Sequence, residues 1–216
     1  MSLKKTYAVL GLGRYGRAVA TELVRSGADV LAVDIDEDVV NELANEIPVI
    51  KCADVTDAEV IRRLEIGSID VVIIAMASNL EANVMAIMLC KEAGTKTIIV
   101  KCANETQERI FTRVGADRVV FPESESGTRM AKNLLSSGFV DIIDLSKDIS
   151  MVELDVRPEW AGKSIRELEL RRRHSINIVA ICRGDHVSSY IEPDLVLESD
   201  MRLIVIANIE KLKRLR

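Results

Sequence analysis

The stretch YAVLGLGRYGRAVATELVRSGADVLAVD, Tyr7–Asp34, decides the fold. Tyr7–Leu10 reads as a strand, Arg14–Ser26 as a helix, and Val30–Val33 as a second strand closed by the acid Asp34. Gly11, Gly13 and Gly16 form G-x-G-x-x-G directly between the first strand and the first helix. The first glycine permits a tight turn, the second lets a phosphate approach the backbone, and the third lets helix and strand close up. Such a turn feeds a helix N-terminus, whose unpaired N–H groups and partial positive charge favour a phosphate. Asp34 follows Gly16 by 18 positions, where a carboxylate can accept both hydroxyls of a ribose. The expectation is a nucleotide site. A glycine turn that had lost its ligand would carry the same motif.

An acid at the ribose favours a 2′-hydroxyl over a 2′-phosphate, because two anions repel in a poorly screened pocket. NADP is therefore disfavoured, while NAD, ADP and ATP all satisfy the acid. Arg14 lies inside the glycine turn, where the backbone already serves one pyrophosphate. A guanidinium there can fork onto a further phosphate, which tilts the reading towards ATP or ADP. The other reading of Arg14 is an exposed arginine paired on the helix surface.

The same alternation continues outward from this unit. Strands are expected at Val49–Cys52, Val71–Ala75, Thr97–Val100 and Arg118–Phe121, with helices at Glu37–Asn45, Asp57–Leu64, Asn79–Ala93 and Thr106–Val114. Six such units predict an α/β fold with a Rossmann-type parallel sheet covered on both faces. On the fourth helix, Leu80, Val84, Ile87 and Met88 are expected to pack on the sheet. Glu123–Gly138 reads as a connecting helix, with acids and serines at its start and glycine at its end. Short strands follow at Phe139–Leu145, Met151–Val156, Asn177–Cys182, His186–Tyr190 and Met201–Ala207, with helices at Ser164–Arg172 and Glu210–Leu215. The domain boundary is placed at 138: a nucleotide-binding domain over 1–138 and a small α+β module over 139–216. A module of that size is expected to have a thin core of its own.

Composition excludes several classes. With 29 basic and 34 acidic residues the net charge is −5, and aromatics are 3%, so a nucleic-acid-binding surface is not expected. The longest charge-free run, Val71–Leu80, is too short to span a bilayer. Lys4 and Lys5 run straight into a strand rather than a signal-peptide core. Cys52, Cys90, Cys102 and Cys182 occur singly with no CxxC pair, which suits reduced thiols in a cytoplasmic protein. Hydride transfer usually needs a proton partner such as His, Lys or Tyr. The two histidines, His174 and His186, both fall in the second module without companions. An enzyme, in the form of a small NAD-dependent oxidoreductase, is thus the weaker alternative; a free-standing ligand sensor is another.

The motifs GLGRYG, LAVDIDED, ADVTD, VKCANE and GADRVVFPE, followed by a connecting helix and a strand-rich module, resemble the RCK (regulator of potassium conductance) proteins. The resemblance runs from about Lys4 to Leu215 and is closest to the KtrA, KtrC and TrkA type of cytoplasmic gating subunit. It implies a non-enzymatic regulator that binds ATP, ADP or NAD(H). It also implies dimers, formed through the connecting helix, that assemble into an octameric ring under an integral-membrane potassium transporter or channel. By the same resemblance Gly11, Gly13, Arg14, Tyr15, Gly16, Asp34 and Asp36 contact the nucleotide. Asp54, Val55 and Thr56 lie by the adenine, and Ala75, Met76 and Lys101 line the remaining edge. Glu123 matches a glutamate that holds a divalent cation, Mg or Ca, at a dimer interface; an acid favoured by the helix dipole is the plainer reading. In the second module, Ile165, Leu170, Arg171, Asn177, Ile178 and Pro193 match a pocket for cyclic di-AMP; a solvated basic face is the alternative for Arg171–Arg173. Cys52 and Val55 depart from the family's usual glycine and alanine near the adenine edge.

Overall fold

The computed structural model describes residues 5–76, 79–135, 139–146 and 148–208. The helix expected over 210–215 and the last positions of the connecting helix, 136–138, lie outside the described residues. The chain divides into two compact units, 1–124 and 125–216.

The first unit is a six-stranded sheet in the order β3-β2-β1-β4-β5-β6. Its strands are β1 (Thr6–Leu10), β2 (Asp29–Asp34), β3 (Ile50–Cys52), β4 (Val71–Ile74), β5 (Thr97–Lys101) and β6 (Arg118–Val120). Every neighbouring pair is parallel. The helices between them are α1 (Arg14–Arg25), α2 (Glu37–Leu43), α3 (Ala58–Arg63), α4 (Leu80–Glu92) and α5 (Glu105–Val114). A single 3-10 turn, Ile66–Ser68, precedes β4.

Strand side chains alternate between two separate cores, as the period of two requires. Ala8, Leu10, Val72 and Ile74 face one core with Ile87, Cys90 and Phe111. Val9, Ala32 and Ile73 face the other with Ala20, Leu43 and Ile47. Helix starts are fixed by side-chain caps: Asp36, Asp57, Asn79 and Asn104 each accept an N–H from the first turn of α2, α3, α4 and α5. Asp70 ties the sheet's lower edge together. Its carboxylate accepts from Thr6 N at 3.0 Å and Thr6 Oγ1 at 3.2 Å, and pairs with Lys96 at 2.7 Å. The Lys96 contact, with Thr6 assisting, holds the Asp70 carboxyl down to about 2.

One expectation is corrected on α4. Its buried residues are Asn83, Ala86, Ile87 and Cys90, while Leu80 and Met88 are 39% and 42% exposed. A row at i, i+4, i+8 drifts around a helix of 3.6 residues per turn. Only its middle, Ile87 with half-buried Val84, stays against the core. Small Ala86 and Cys90 let the helix axis come close to the sheet.

Helix α6 (Pro122–Leu135) opens on proline, which suits a first helical position because its missing N–H has no helical partner to lose. The second unit then folds as a five-stranded antiparallel sheet, β10-β9-β11-β8-β7. These strands are β7 (Phe139–Asp144), β8 (Ile149–Asp155), β9 (Asn177–Arg183), β10 (His186–Ser188) and β11 (Met201–Asn208). Contrary to the expected thin interior, the unit has a core of its own, built on Trp160, Leu168, Leu170, Leu197, Leu203 and Val205.

The helix expected over Ser164–Arg172 is broken. Two short helices, α7 (Ile165–Leu168) and α8 (Leu170–His174), meet at Glu169, which takes a left-handed φ of 45°. Leu168 and Leu170 are both buried. Two residues apart on one helix they would point in nearly opposite directions, and the break turns both inward. The start of α7 carries a reciprocal cap between Ser164 and Glu167.

Candidate functional site

The sheet order reverses between β1 and β4, and in open α/β sheets ligands bind beyond the strand ends at that point. The glycine turn lies there. Gly11 donates its N–H to Val33 O at 2.8 Å, and Ala75 donates to Leu10 O at 2.7 Å, so the turn is knitted to both neighbouring strands. Gly11 has φ +94°, and a Cβ on it would meet Met76 N at 2.8 Å. A Cβ on Gly16 would strike Gly11 O at 1.9 Å. Gly13 is different: a Cβ there would meet nothing within 4 Å. Its absent side chain therefore leaves open space at the start of α1, which has Gly13 as N-cap and no side-chain cap bond.

A cavity of about 490 Å³ opens from this turn, within the size range of small-molecule sites. Gly11, Gly13, Asp34, Asp36, Asp54, Val55, Thr56, Ala75 and Met76 line it, all of them expected from the sequence. Asp34 is held from two sides: Oδ2 accepts from Leu12 N at 2.5 Å and Oδ1 from Asp36 N at 3.0 Å. Each oxygen keeps a second lone pair for a hydroxyl, so the carboxylate is aimed rather than consumed. Asp36 caps α2 through Asp38 N at 3.0 Å. Asp54 accepts from Thr56 Oγ1 at 2.7 Å and Thr56 N at 2.9 Å, and these bonds hold its carboxyl below the usual carboxylate range. The cavity thus has an acidic end at Asp34, Asp36 and Asp54 and an amide-rich end at the start of α1. Ribose suits the first and phosphate the second.

Arg14, Tyr15 and Gly16 do not line the cavity. Arg14 is exposed on the first turn of α1, and Gly16 is packed beneath the turn. The Lys101 ammonium lies 5.8 Å from the centre of the Tyr15 ring. Lys101 Nζ also pairs with Glu123 at 2.5 Å. That lysine, with Arg14 adding a weaker pull, lowers the Glu123 carboxyl. Glu123 is thus one carboxylate engaged by an ammonium, and the described residues of this one chain hold no cluster of three potential metal ligands.

In the second unit a hollow of about 370 Å³ lies beside α7 and α8. Ile165, Leu170, Arg171, Asn177 and Ile178 line it as expected; Pro193 does not, and instead accepts the Arg166 N–H at 2.8 Å. Arg166 is held by Asp194 and Arg172 by Glu169. Among the described residues Arg171 has no ion-pair partner, so it is the guanidinium of this lining left to an anion.

The TrkA-N domain model matches residues 7–122, and the TrkA-C domain model matches residues 149–216. The chain belongs to this TrkA family, the RCK proteins. It is 37% identical over 213 residues to the Ktr system potassium uptake protein C of Bacillus subtilis, covering 98% of this chain and 96% of that one. It is 33% identical over 208 residues to the Ktr system potassium uptake protein A of Vibrio alginolyticus, covering 96% and 94%. Among solved structures, the GsuK channel bound to NAD superposes with a TM-score of 0.57 at 24% identity, over 97% of this chain and 37% of that one. That likeness bears on the fold.

Several lining residues of this RCK chain were not foreseen. Ile35 is 69% exposed yet lines the cavity between Asp34 and Asp36, and Val39, Asn79 and Ala82 join it. The signal for Ile35 was available: an apolar residue between two acids has no core to face at the end of a strand. Of the two departures from the family pattern, Val55 is buried and lines the cavity. Cys52 is exposed outside it, with its thiol donating to Ile35 O at 3.4 Å.

Proposed function

We propose that this chain is the regulatory subunit of a membrane potassium transport system, binding an adenine nucleotide and passing its occupancy on as a change of assembly. The observation that carries this is the Asp34-to-Gly13 cavity, built on a chain that matches Ktr potassium uptake proteins along nearly its whole length. ATP and ADP are the favoured ligands, with NAD(H) as the alternative. The acid at the ribose disfavours a 2′-phosphate, and Arg14 at the start of α1 stands ready for a terminal phosphate.

On this reading the nucleotide is a signal bound without turnover, with the lining acids acting as helix caps and ribose acceptors. A ligand held unchanged can act only through its difference in affinity between two states of the protein. Differences of about 1–3 kcal/mol per site are the usual scale of such coupling. Repeated around a homo-oligomer, such as dimers assembled into an octameric ring, they add up to enough to bias a pore. The subunit works in the cytoplasm at the inner face of the membrane, held there by an integral-membrane potassium transporter. No helix among the described residues is long and apolar enough to cross a bilayer.

The second unit adds a further input, with cyclic di-AMP as the ligand. Arg171, without an ion-pair partner among the described residues, meets its phosphates, and Ile165, Leu170 and Ile178 offer apolar surface to its bases. A two-fold ligand also suits a two-fold interface between copies. A cation at Glu123 requires further acids from another copy and a displaced Lys101.

The decisive experiment co-expresses the chain with a Ktr-type membrane subunit in cells defective in potassium uptake. Restored uptake that is lost with Asp34→Ala supports the reading. Uptake indifferent to the presence of the chain contradicts it, and so does steady consumption of NADH or ATP by the purified chain.

A further inference from the structure

Beside the adenosine cavity lies a second hollow of about 260 Å³, at the ends of β5 and β6. Asn83, Lys101, Gln107, Phe121 and Glu123 contribute to its lining. Among the described residues, Met76 is the one that lines both hollows. Met76 follows β4, at the crevice where the strand order reverses. A dinucleotide bound across such a fold sets one nucleoside on each side of that crevice. Its second nucleoside would have to pass Met76 to reach the hollow beyond.

The backbone at this point has no room to retreat. The position of a Cβ on Gly11 lies 2.8 Å from Met76 N and 3.0 Å from Met76 Cα, so the two backbones are already close-packed. The side chain is the adjustable part. It is half-buried against the core of the first unit, unbranched, and able to take several shapes. The hollow behind it is well furnished. Two side-chain amides, the Lys101–Glu123 pair and the Phe121 ring contribute to it, a polar and aromatic set suited to a second base that carries a carboxamide.

We propose that the Met76 side chain sets which adenine ligand the site takes. By closing the adenosine cavity against the hollow beyond β4, it favours a mononucleotide such as ADP or ATP. It disfavours a dinucleotide such as NAD. The inference rests on the nucleotide reading above and specifies it.

The test is calorimetric titration of ADP and of NAD into the full-length protein, its Met76→Ala variant and its Met76→Val variant. The unaltered chain should bind ADP more tightly than NAD. Met76→Ala should shift the ratio of ADP to NAD affinity towards NAD by about tenfold or more, whatever the change in either affinity alone. Met76→Val should fall between, and circular dichroism reports that each variant is folded. An ADP-to-NAD ratio that stays constant across the series would overturn the role of Met76, as would tighter binding of NAD by the unaltered chain. If the unaltered chain binds neither ligand, the nucleotide reading itself falls and this inference goes with it.

Discussion

Gly11 and Gly13 stand two residues apart and are glycine for different reasons. Gly11 has φ +94° and touches the Met76 backbone, so its lack of a side chain serves the fold. Gly13 has φ −62° with open space where a Cβ would go, so its lack of a side chain serves a ligand. Gly11→Ala should therefore cost about 1–3 kcal/mol in chemical denaturation. Gly13→Ala should change stability by less than about 0.5 kcal/mol, yet weaken ADP binding by about tenfold or more in titration. Asp70 gives a second residue-level prediction. Its folded-state carboxyl is depressed from 3.8 to about 2, so its contribution is fully present above pH 3.8 and is lost as pH falls towards 2. Asp70→Asn should lower the melting temperature at pH 7. The gap from the unaltered chain should shrink between pH 4 and about pH 2, as followed by circular dichroism.

At the scale of elements, α4 tests how a helix reads its own pattern. Ile87 is fully buried while Met88 is 42% exposed, although both sit in one apolar run. Ile87→Ala should cost about 2–5 kcal/mol and Met88→Ala less than about 0.5 kcal/mol, in equilibrium unfolding of each variant. The strands of both units were legible because apolar runs bounded by turns leave a local trace. The caps at Asp36, Asp57, Asn79 and Asn104 are local features too, a polar residue before each periodic segment, but they were not read from the sequence. The buried face of α4 was harder to read, because Ala86 and Cys90 are weakly apolar and Asn83 is polar. The break at Glu169 was hidden for another reason. Nothing local to ELEL shows that Leu168 and Leu170 must both face one core supplied by β8, β9 and β11. The glycine turn and its acid lie within one contiguous stretch, so their meeting at the cavity was legible, whereas Arg14, Tyr15 and Gly16 fall outside its lining and Ile35 went unread. The hollow bounded by Met76, Lys101 and Phe121 joins residues distant in sequence, so it emerges only when the sheet is assembled.

For the whole molecule, the two units present different chemistries to solution. The first offers a cavity with an acidic end and an uncapped helix start. The second offers a shallower hollow with Arg171 unpaired among the described residues. Arg171→Ala should weaken cyclic di-AMP binding by about tenfold or more without altering ADP affinity in titration, since charge-assisted bonds to phosphate are the stronger kind. Both hollows are proposed to feed one output, the arrangement of copies in a homo-oligomer. That claim is tested most directly by small-angle scattering of the purified protein with saturating ATP and with saturating ADP, alongside the affinity for each. The account predicts two scattering profiles that differ in particle dimension, with the ligands recovered chemically intact. Identical profiles with both ligands, or a monomer throughout, would contradict it.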